Sequence, residues 1–384
     1  MIAERAHTAH LEAATANLPT VFPVDPAADC GAAFVYRHGE QYDSYQASEP
    51  KFHQFWSRDR RGVISYAVSG KCIVVRGGLI APAQFQEELL REFLEFASEK
   101  QHSVSFMNMP EHLIPMFRAH GFQISKWGEE PIIDPTTCTF QGKRYEWVRR
   151  QTNYCIRNGV VAQEVRPESL APEEWKILSA ELNEVAADSL KCKVQASEFQ
   201  FFEGEVHTHP LGYRRLFVAR NEWGKGRIEG FVVCNPILEG RAWSTEIYRH
   251  RRDCVRGTIA FLFQHIIHKL RDEGVSRLLL CLVPGLNCQK HCEGESKLVH
   301  FSFRFGRSLL SALFDIDGLH YFKSRFRPHY ESRYIFAHPR VSIGSTMAFF
   351  CILGIFKIHP YNLIRIMYER LCKWSQRKTM VGIE

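Results

Sequence analysis

Residues 242–263 read AWSTEIYRHRRDCVRGTIAFLF and join two apolar runs through a corner rich in arginine. AWSTEIYR has the pattern of a strand, and GTIAFLFQHIIHKLRDEG has the apolar spacing of a helix that begins near Gly257 and ends at Gly274. The basic residues of the corner are Arg249, His250, Arg251, Arg252 and Arg256. Backbone N–H groups at a helix N-terminus attract phosphate and arginine adds bidentate contacts, so this corner predicts an anion-binding site.

The predicted strand that enters the corner has two faces. Alternation places Thr245, Ile247 and Arg249 on one face, and Glu246, Tyr248 and His250 on the other. Glu246 and Arg249 then reach one site only if the strand twists or bulges near its end. For the remaining arginines, the alternative is an ordinary solvated surface that balances Asp253 and nearby acids.

One order of elements occurs twice along the chain, in outline. GVISYAVSG and KCIVVRGG predict a hairpin that turns at Ser69 and Gly70, and PAQFQEELLREFLEFASEK predicts a helix before the strand SVSFMNM. Later, the helix PEEWKILSAELNEVAADSL precedes three predicted strands, the helix after Gly257 and the buried strand VSRLLLCLVP. This order predicts an α+β fold of tandem GNAT-like (N-acetyltransferase-like) domains.

The chain divides into four predicted regions. Its 384 residues exceed one typical hydrophobic core, which favours two packed domains. The regions are an N-terminal arm over 1–30, a first GNAT-like domain over 31–158, a second over 159–338, and a tail over 339–384.

The tail combines an apolar segment with a basic one. The run VSIGSTMAFFCILGIF, 341–356, has 16 residues and reaches about 24 Å as a helix, less than a bilayer core of roughly 30 Å. We therefore expect it to lie in the membrane plane or to be partly buried. The residues after 360 predict an amphipathic helix with a basic face, which suits either an anionic membrane surface or the protein's own core.

Composition and short motifs exclude several classes of protein. Lys and Arg outnumber Asp and Glu by 49 to 42, which weakly favours a polyanionic partner. The 12 cysteines show no paired framework, and CQKHC (288–292) lacks a second pair of metal ligands, so we expect reduced thiols in the cytoplasm and no metal. No secretory signal, GxSxG elbow, Walker A loop or HExxH motif is present. Direct attack by a bound acceptor on an activated carbonyl needs no enzyme nucleophile, only alignment, a proton acceptor and cations.

Several segments, taken in order, resemble a known family. The chain is similar to the C-terminal catalytic domain of phosphatidylglycerol lysyltransferases, also called DUF2156, over residues 31–337. The matching segments are GVISYAVSG, KWGEEPIID, FQGKRYEWVRRQTNYCIRNG, STEIYRHRRDCVRGTIAFLF, LLLCLVPGLN and YFKSRFRPHYESRY. The resemblance implies two acetyltransferase-like folds joined by a tunnel, and transfer of an amino acid from aminoacyl-tRNA to the hydroxyl of a lipid such as phosphatidylglycerol.

The same resemblance implies roles for particular residues. Glu246 stands where the family usually has an aspartate and would accept the acceptor's proton, Arg249 would hold a phosphate, and Lys323 would stabilise the oxyanion or the leaving oxygen. The implied substrate-binding residues are Arg251, Arg252, Arg256, Gly257, Arg325, Glu129, Glu130, Arg149, Arg150 and Asn153. For the arginines near residue 150, a salt-bridged domain junction with Glu129 and Glu130 is the alternative to tRNA contacts. An acidic position of the family is lost at Gly78.

The resemblance also sets expectations about partners and place. It implies aminoacyl-tRNA as co-substrate with no resident cofactor or metal, an anionic lipid partner, and a position at the inner face of the cell membrane. Homo-oligomerisation, the amino acid and the acceptor are left open, and no flippase function is predicted. Two alternatives remain: an acyl-CoA-dependent GNAT acyltransferase, against which the glycine-poor corner argues, and a non-catalytic tandem module that binds membrane or RNA.

Overall fold

The structure, a computed structural model, describes most of the chain. The described residues are 30–49, 51–190, 212–288, 294–301 and 316–352. The predicted N-terminal arm up to residue 29, His291 and Cys292 of CQKHC, and the predicted basic amphipathic helix lie outside them.

Strands and helices alternate through these residues. The strands are β1 His53–Trp56, β2 Val63–Ser69, β3 Cys72–Ile80, β4 Ser103–Pro110, β5 Gln123–Ile133, β6 Val160–Val165, β7 Arg215–Asn221, β8 Arg227–Ile237, β9 Ala242–His250, β10 Leu278–Leu279, β11 Val283–Pro284 and β12 His329–His338. The helices used below are α1 Cys30–His38, α2 Gln86–Glu99, α3 Ile114–Ala119, α4 Glu146–Arg157, α5 Pro172–Leu190, α6 Thr258–Asp272, α7 Ile316–Ser324 and α8 Ile343–Ile352. A 3₁₀ helix covers Ser44–Ser48.

One continuous sheet contains all of these strands. Its order is β1-β2-β3-β4-β12-β5-β10-β9-β8-β7-β6, and β11 pairs with β5. Both β3–α2–β4 and β9–α6–β10 are parallel strand pairs joined by a helix, so the arrangement occurs twice. This repeat agrees with the predicted α+β fold of two GNAT-like units.

Two features of the sheet differ from the sequence pattern. The predicted buried strand VSRLLLCLVP is divided into β10 and β11, because Cys281 between them has a φ of +62° and turns the backbone out of the extended conformation. β12 belongs by sequence to the predicted second domain but pairs with β4 and β5 of the first. The C-terminal strand therefore ties the two halves together.

Each half of the sheet has its own core. In the first half, Leu90 and Phe93 of α2 pack with Phe106 of β4. In the second half, α6 packs on the face that carries Val232, and α5 packs on the opposite face with Val233. Successive side chains of β8 point to opposite faces of the sheet and therefore pack against two different helical layers.

The described part of the tail's apolar segment, α8, is partly buried. Whether the segment lies in a membrane plane stays a prediction. Phe349, Phe350 and Ile352 of α8 pack with Val74 and neighbours from the first half of the sheet. Ile343 remains 74% exposed. Within the described residues, no helix combines the length and the apolar character needed to span a bilayer.

Two isoleucines, one from each helical layer, should differ in how much their replacement destabilises the protein. Ile266 of α6 is 0% exposed, whereas Ile177 of α5 is 70% exposed. Ile266→Ala should lower the free energy of unfolding by about 2–5 kcal/mol through lost burial and a cavity. Ile177→Ala should change it by less than about 0.5 kcal/mol. Urea denaturation followed by circular dichroism measures both, and equal effects would contradict this assignment of the core.

Candidate active site

A bulge in β9 sets the direction of the Glu246 side chain. Thr245 pairs with Cys234 and Ile247 pairs with Val233, so Glu246 is the extra residue between two consecutive pairs. Directly paired residues share a face, and Cys234 and Val233 lie on opposite faces of β8. The prediction that Thr245 and Ile247 share a face is therefore wrong, and the reason is the bulge.

Glu246 is buried between polar groups from both halves of the sheet. Its side chain is 2% exposed, and its Oε1 lies 3.0 Å from Nη2 of Arg76 on β3. Its Oε2 accepts a hydrogen bond from the side-chain amide of Asn235 on β8. Burial raises the pKa of Glu246 to about 8, against the opposing effect of the Arg76 and Arg214 cations.

Arg76 extends this contact into the first half. Its Nε lies 3.3 Å from Oδ2 of Asp43, which is also 2.8 Å from Nδ2 of Asn108. The Asn108 amide oxygen accepts a hydrogen bond of 2.9 Å from the Trp127 indole. Asp43 thus holds the guanidinium that faces Glu246, and Asn108 and Trp127 support Asp43 in turn.

Arg214 extends the network on the other side of Glu246. Its Nε donates to Asn235 Oδ1 at 2.9 Å, and its Nη2 pairs with the Glu49 carboxylate. Lys51 lies 2.9 Å from the second oxygen of Glu49. Carboxylates and cations therefore alternate through a buried volume, which lowers the cost of removing each charge from water.

The contact between Arg76 and Glu246 requires a folded sheet. In strand order, β3 and β9 are five steps apart, which is about 24 Å in a flat sheet. The two side chains nevertheless meet at 3.0 Å. The sheet must therefore curve between β3 and β9, a stretch that includes the short β5–β10 pairing of Leu278 and Leu279.

The buried polar side chains around Glu246 and Arg76, which join the two halves of the sheet, are called the junction below. Lys323 of α7 lies beside them. The residue is 2% exposed, and its Nζ donates to the carbonyl oxygens of Cys281 at 2.9 Å and Leu282 at 3.3 Å. Cys281 Sγ in turn lies 3.5 Å from the carbonyl oxygen of Thr245, the residue before Glu246. Burial lowers the pKa of Lys323 to about 8, and no ion pair involves its ammonium group in the described part of the chain.

Glu129 and Glu130 occupy different environments on β5. Glu130 is 0% exposed and accepts a hydrogen bond of 2.8 Å from Arg333 Nε of β12, while burial raises its pKa. Glu129 accepts hydrogen bonds of 2.8 Å from both Lys126 and Asn287. The alternative of a salt-bridged junction between these glutamates and the arginines near residue 150 is wrong, because other side chains hold both carboxylates.

The arginines of the corner have different surroundings. Arg249 is 3% exposed and donates from Nη1 to the Tyr248 carbonyl oxygen at 2.9 Å. Arg251 lies 3.3 Å from Glu184, and Arg252 lies 3.0 Å from Asp188, both acids of α5. Arg251 and Arg252 therefore follow the alternative of surface charges that are balanced by acids.

Arg256 and Gly257 connect the corner to α4. Arg256 is exposed, and its Nε lies 3.4 Å from Gln151 Oε1. Gly257 caps α6 with a φ of +95°, and a Cβ there would lie 2.8 Å from Gln151 Cβ. Both the backbone conformation and the close contact explain the single glycine of the corner.

The remaining predicted binding residues lie on the surface of α4 and after α7. Arg149 donates to the carbonyl oxygens of Phe140 and Gly142, 2.7 Å each, and so fixes the loop before α4. Arg150 and Asn153 are exposed on α4. The Arg325 guanidinium stacks on the Tyr321 ring, 3.8 Å from its centroid.

The space beside Gly78 is occupied by another side chain. A Cβ on residue 78 would lie 2.1 Å from Nε2 of Gln41. The Gln41 amide therefore fills the volume that a longer residue at position 78 would enter.

Asp43, Glu49, Arg76, Arg214 and Asn235 were not predicted from the sequence. Arg76 and Asn235 do carry a signal, because each interrupts an apolar strand and a buried polar group needs a partner. The partners come from distant parts of the chain, and no spacing indicates them. No cluster of metal-ligating side chains occurs in the described ranges, and the absence of a metal or cofactor stays a prediction.

Comparisons with known proteins agree with this architecture. The family model for "Phosphatidylglycerol lysyltransferase, C-terminal" matches residues 32–337. A phosphatidylglycerol lysyltransferase of Staphylococcus epidermidis is 22% identical over 321 residues, which is 82% of this chain and 36% of the relative. The chain thus spans about a third of that relative's length.

Two solved structures have the same fold. The structure of L-PGS from Bacillus licheniformis superimposes with a TM-score of 0.72 at 20% identity, covering 88% of this chain and 99% of that one. The C-terminal DUF2156 domain of a putative lysylphosphatidylglycerol synthetase from Agrobacterium fabrum gives 0.65 at 18% identity, covering 83% and 93%. With the family model matched across both halves of the sheet, the chain belongs to the family of phosphatidylglycerol lysyltransferase C-terminal domains.

Proposed function

We propose that this chain transfers an aminoacyl group from aminoacyl-tRNA to the hydroxyl of an anionic membrane lipid such as phosphatidylglycerol. The observation that carries the proposal is the buried junction that places Glu246 against Arg76 and links Lys323 to β9 through Cys281. Membership of the family supports the lipid acceptor, because relatives carry the name phosphatidylglycerol lysyltransferase.

The reaction exchanges one ester for another. The acceptor oxygen attacks the carbonyl carbon of the aminoacyl ester, its proton passes to the Glu246 carboxylate, and the ribose oxygen leaves as the original C–O bond breaks. Lys323 donates a hydrogen bond or a proton to the developing oxyanion or the leaving oxygen. Atoms balance without an oxidant or a further co-reactant.

The environments of the two residues suit these roles. A pKa of about 8 leaves Glu246 a stronger base than a solvated carboxylate, and Arg76 holds the carboxylate in place. A pKa of about 8 makes Lys323 a stronger acid than a solvated lysine. Arg249 and the exposed Arg256 are the cations that we assign to a substrate phosphate.

The arginine corner and the junction argue against the two alternatives, an acyl-CoA-dependent acyltransferase and a non-catalytic module. An acyl-CoA enzyme of this fold needs several backbone N–H groups for a pyrophosphate, whereas this corner has the single glycine Gly257. A non-catalytic module gains nothing from a buried lysine whose charged form is destabilised by burial. Association with the inner membrane surface stays a prediction, and homo-oligomerisation stays open.

A transfer assay tests the proposal directly. Purified protein is incubated with radiolabelled aminoacyl-tRNAs and phosphatidylglycerol vesicles, and label is followed into the organic phase. We expect lipid-soluble label that disappears when ribonuclease is added first. A parallel reaction with labelled acyl-CoA should give none, and transfer from acyl-CoA alone would overturn the proposal.

Replacement of Glu246 separates base catalysis from folding. Glu246→Gln keeps the size and the amide partner but removes the proton acceptor, so turnover should fall about 10²- to 10⁴-fold. Glu92→Gln is the control, because Glu92 is another buried glutamate, 6% exposed, on α2. Initial rates and thermal melts of both variants are compared with the parent protein, and an unchanged rate in Glu246→Gln would remove Glu246 from the mechanism.

The two shifted pKa values predict a bell-shaped pH profile. Glu246 works as the anion, so the rate rises as pH increases through its pKa of about 8. Lys323 works as the cation, so the rate falls as pH increases through its pKa, also about 8. We expect a narrow maximum near pH 8, and Lys323→Met should lose the alkaline limb as well as most of the rate. A flat profile between pH 6 and pH 9 would contradict both assignments.

A further inference from the structure

Trp223 forms an exposed platform at the end of the second half of the sheet. It lies in the turn between β7 and β8 and is 73% exposed. A Cβ on Gly159 would lie 2.6–2.9 Å from Cδ2, Cγ and Cε2 of Trp223, which are inner atoms of the indole. The indole therefore lies with one face on the Gly159 backbone.

The turn holds this platform in place. Gly224 N donates to the Asn221 side-chain oxygen at 3.0 Å, and Glu222 N donates to the Gly159 carbonyl oxygen at 2.9 Å. The turn is thus held by one hydrogen bond within itself and by a second one to Gly159, the residue beneath the indole ring. The outer face of the indole is the part left for a ligand.

A polar stripe on α4 continues from this platform. Arg150, Asn153, Tyr154 and Arg157 are exposed and follow the spacing i, i+3, i+4, i+7, so they share one side of the helix. The Arg150 side chain is 72% exposed. The helix meets the arginine corner, because Cys155 Sγ lies 3.5 Å from the Arg256 carbonyl oxygen.

We propose that the Trp223 platform and the α4 stripe bind a single-stranded RNA end, with a base stacked on the indole and phosphates on Arg157 and Arg150. Aromatic faces beside cations bind unpaired bases of any sequence, and arginine pairs with phosphate. The identification of this RNA as the acceptor end of aminoacyl-tRNA rests on the proposed function. Ile156 and Val161 are also exposed nearby, which makes an anionic membrane the competing partner.

The test measures binding without transfer. Anisotropy of a labelled, deacylated tRNA is compared with that of the same tRNA lacking its unpaired 3′ nucleotides. Trp223→Ala should weaken binding of the intact tRNA about 5- to 150-fold and leave the trimmed tRNA unaffected, while Trp223→Phe should retain most of the affinity. Arg157→Ala should reduce the slope of log Kd against log salt by about 0.7.

Matched controls distinguish the outcomes. Arg118→Ala removes an exposed arginine from the last turn of α3, as Arg157→Ala does from α4, and should leave tRNA affinity and salt slope unchanged. Equal affinity of Trp223→Ala and the parent for intact tRNA would overturn the inference, as would a loss confined to sedimentation with phosphatidylglycerol vesicles. Binding that depends on Trp223 without any aminoacyl transfer would support this surface and refute the proposed function. Aminoacyl transfer by a protein whose tRNA binding does not depend on Trp223 would support the proposed function and refute this surface.

Discussion

The ion pair between Arg76 and Glu246 is the contact on which the junction depends. Both side chains are 2% exposed, and they come from strands five places apart in the sheet order. Burial of each charge costs several kcal/mol, which is recovered only if the partner and the flanking hydrogen bonds are all present. Asp43, Asn235 and Arg214 supply those bonds. The buried ion pair therefore requires both the curvature of the sheet and the polar side chains around it.

The same junction connects the outer elements to the chemistry. Trp127 donates to Asn108, which holds Asp43, and the Trp127 ring also contacts Phe349 of α8 at 5.8 Å between centroids. On the other side, Ser244 Oγ donates to the Tyr42 carbonyl oxygen at 2.8 Å. The segment before β1 and the helix after β12 thus both support a site built from the middle strands.

Local patterns were sufficient for most secondary structure. The hairpin of β2 and β3, the amphipathic α2 and the apolar α6 with its Gly257 start follow from side-chain spacing and from one residue's backbone freedom. The division of β10 from β11 and the insertion of β12 between β4 and β5 were not visible. The insertion of β12 arises from pairing between distant segments, for which one sequence carries no direct signal. The division arises from the positive φ of Cys281, a conformation that a cysteine in an apolar run does not indicate.

The sequence by itself determined the α+β repeat and the arginine corner, and it made Glu246 a candidate residue, whereas Lys323 was implied only by the family resemblance. The tertiary structure decided their surroundings: it gave Glu246 a partner in Arg76, buried Lys323 against two carbonyl groups, and paired Arg251 and Arg252 with acids of α5. Periodicity along a chain fixes which way a side chain points relative to its own element. Burial, and with it the pKa of an acid or a base, depends on which other elements cover that side chain.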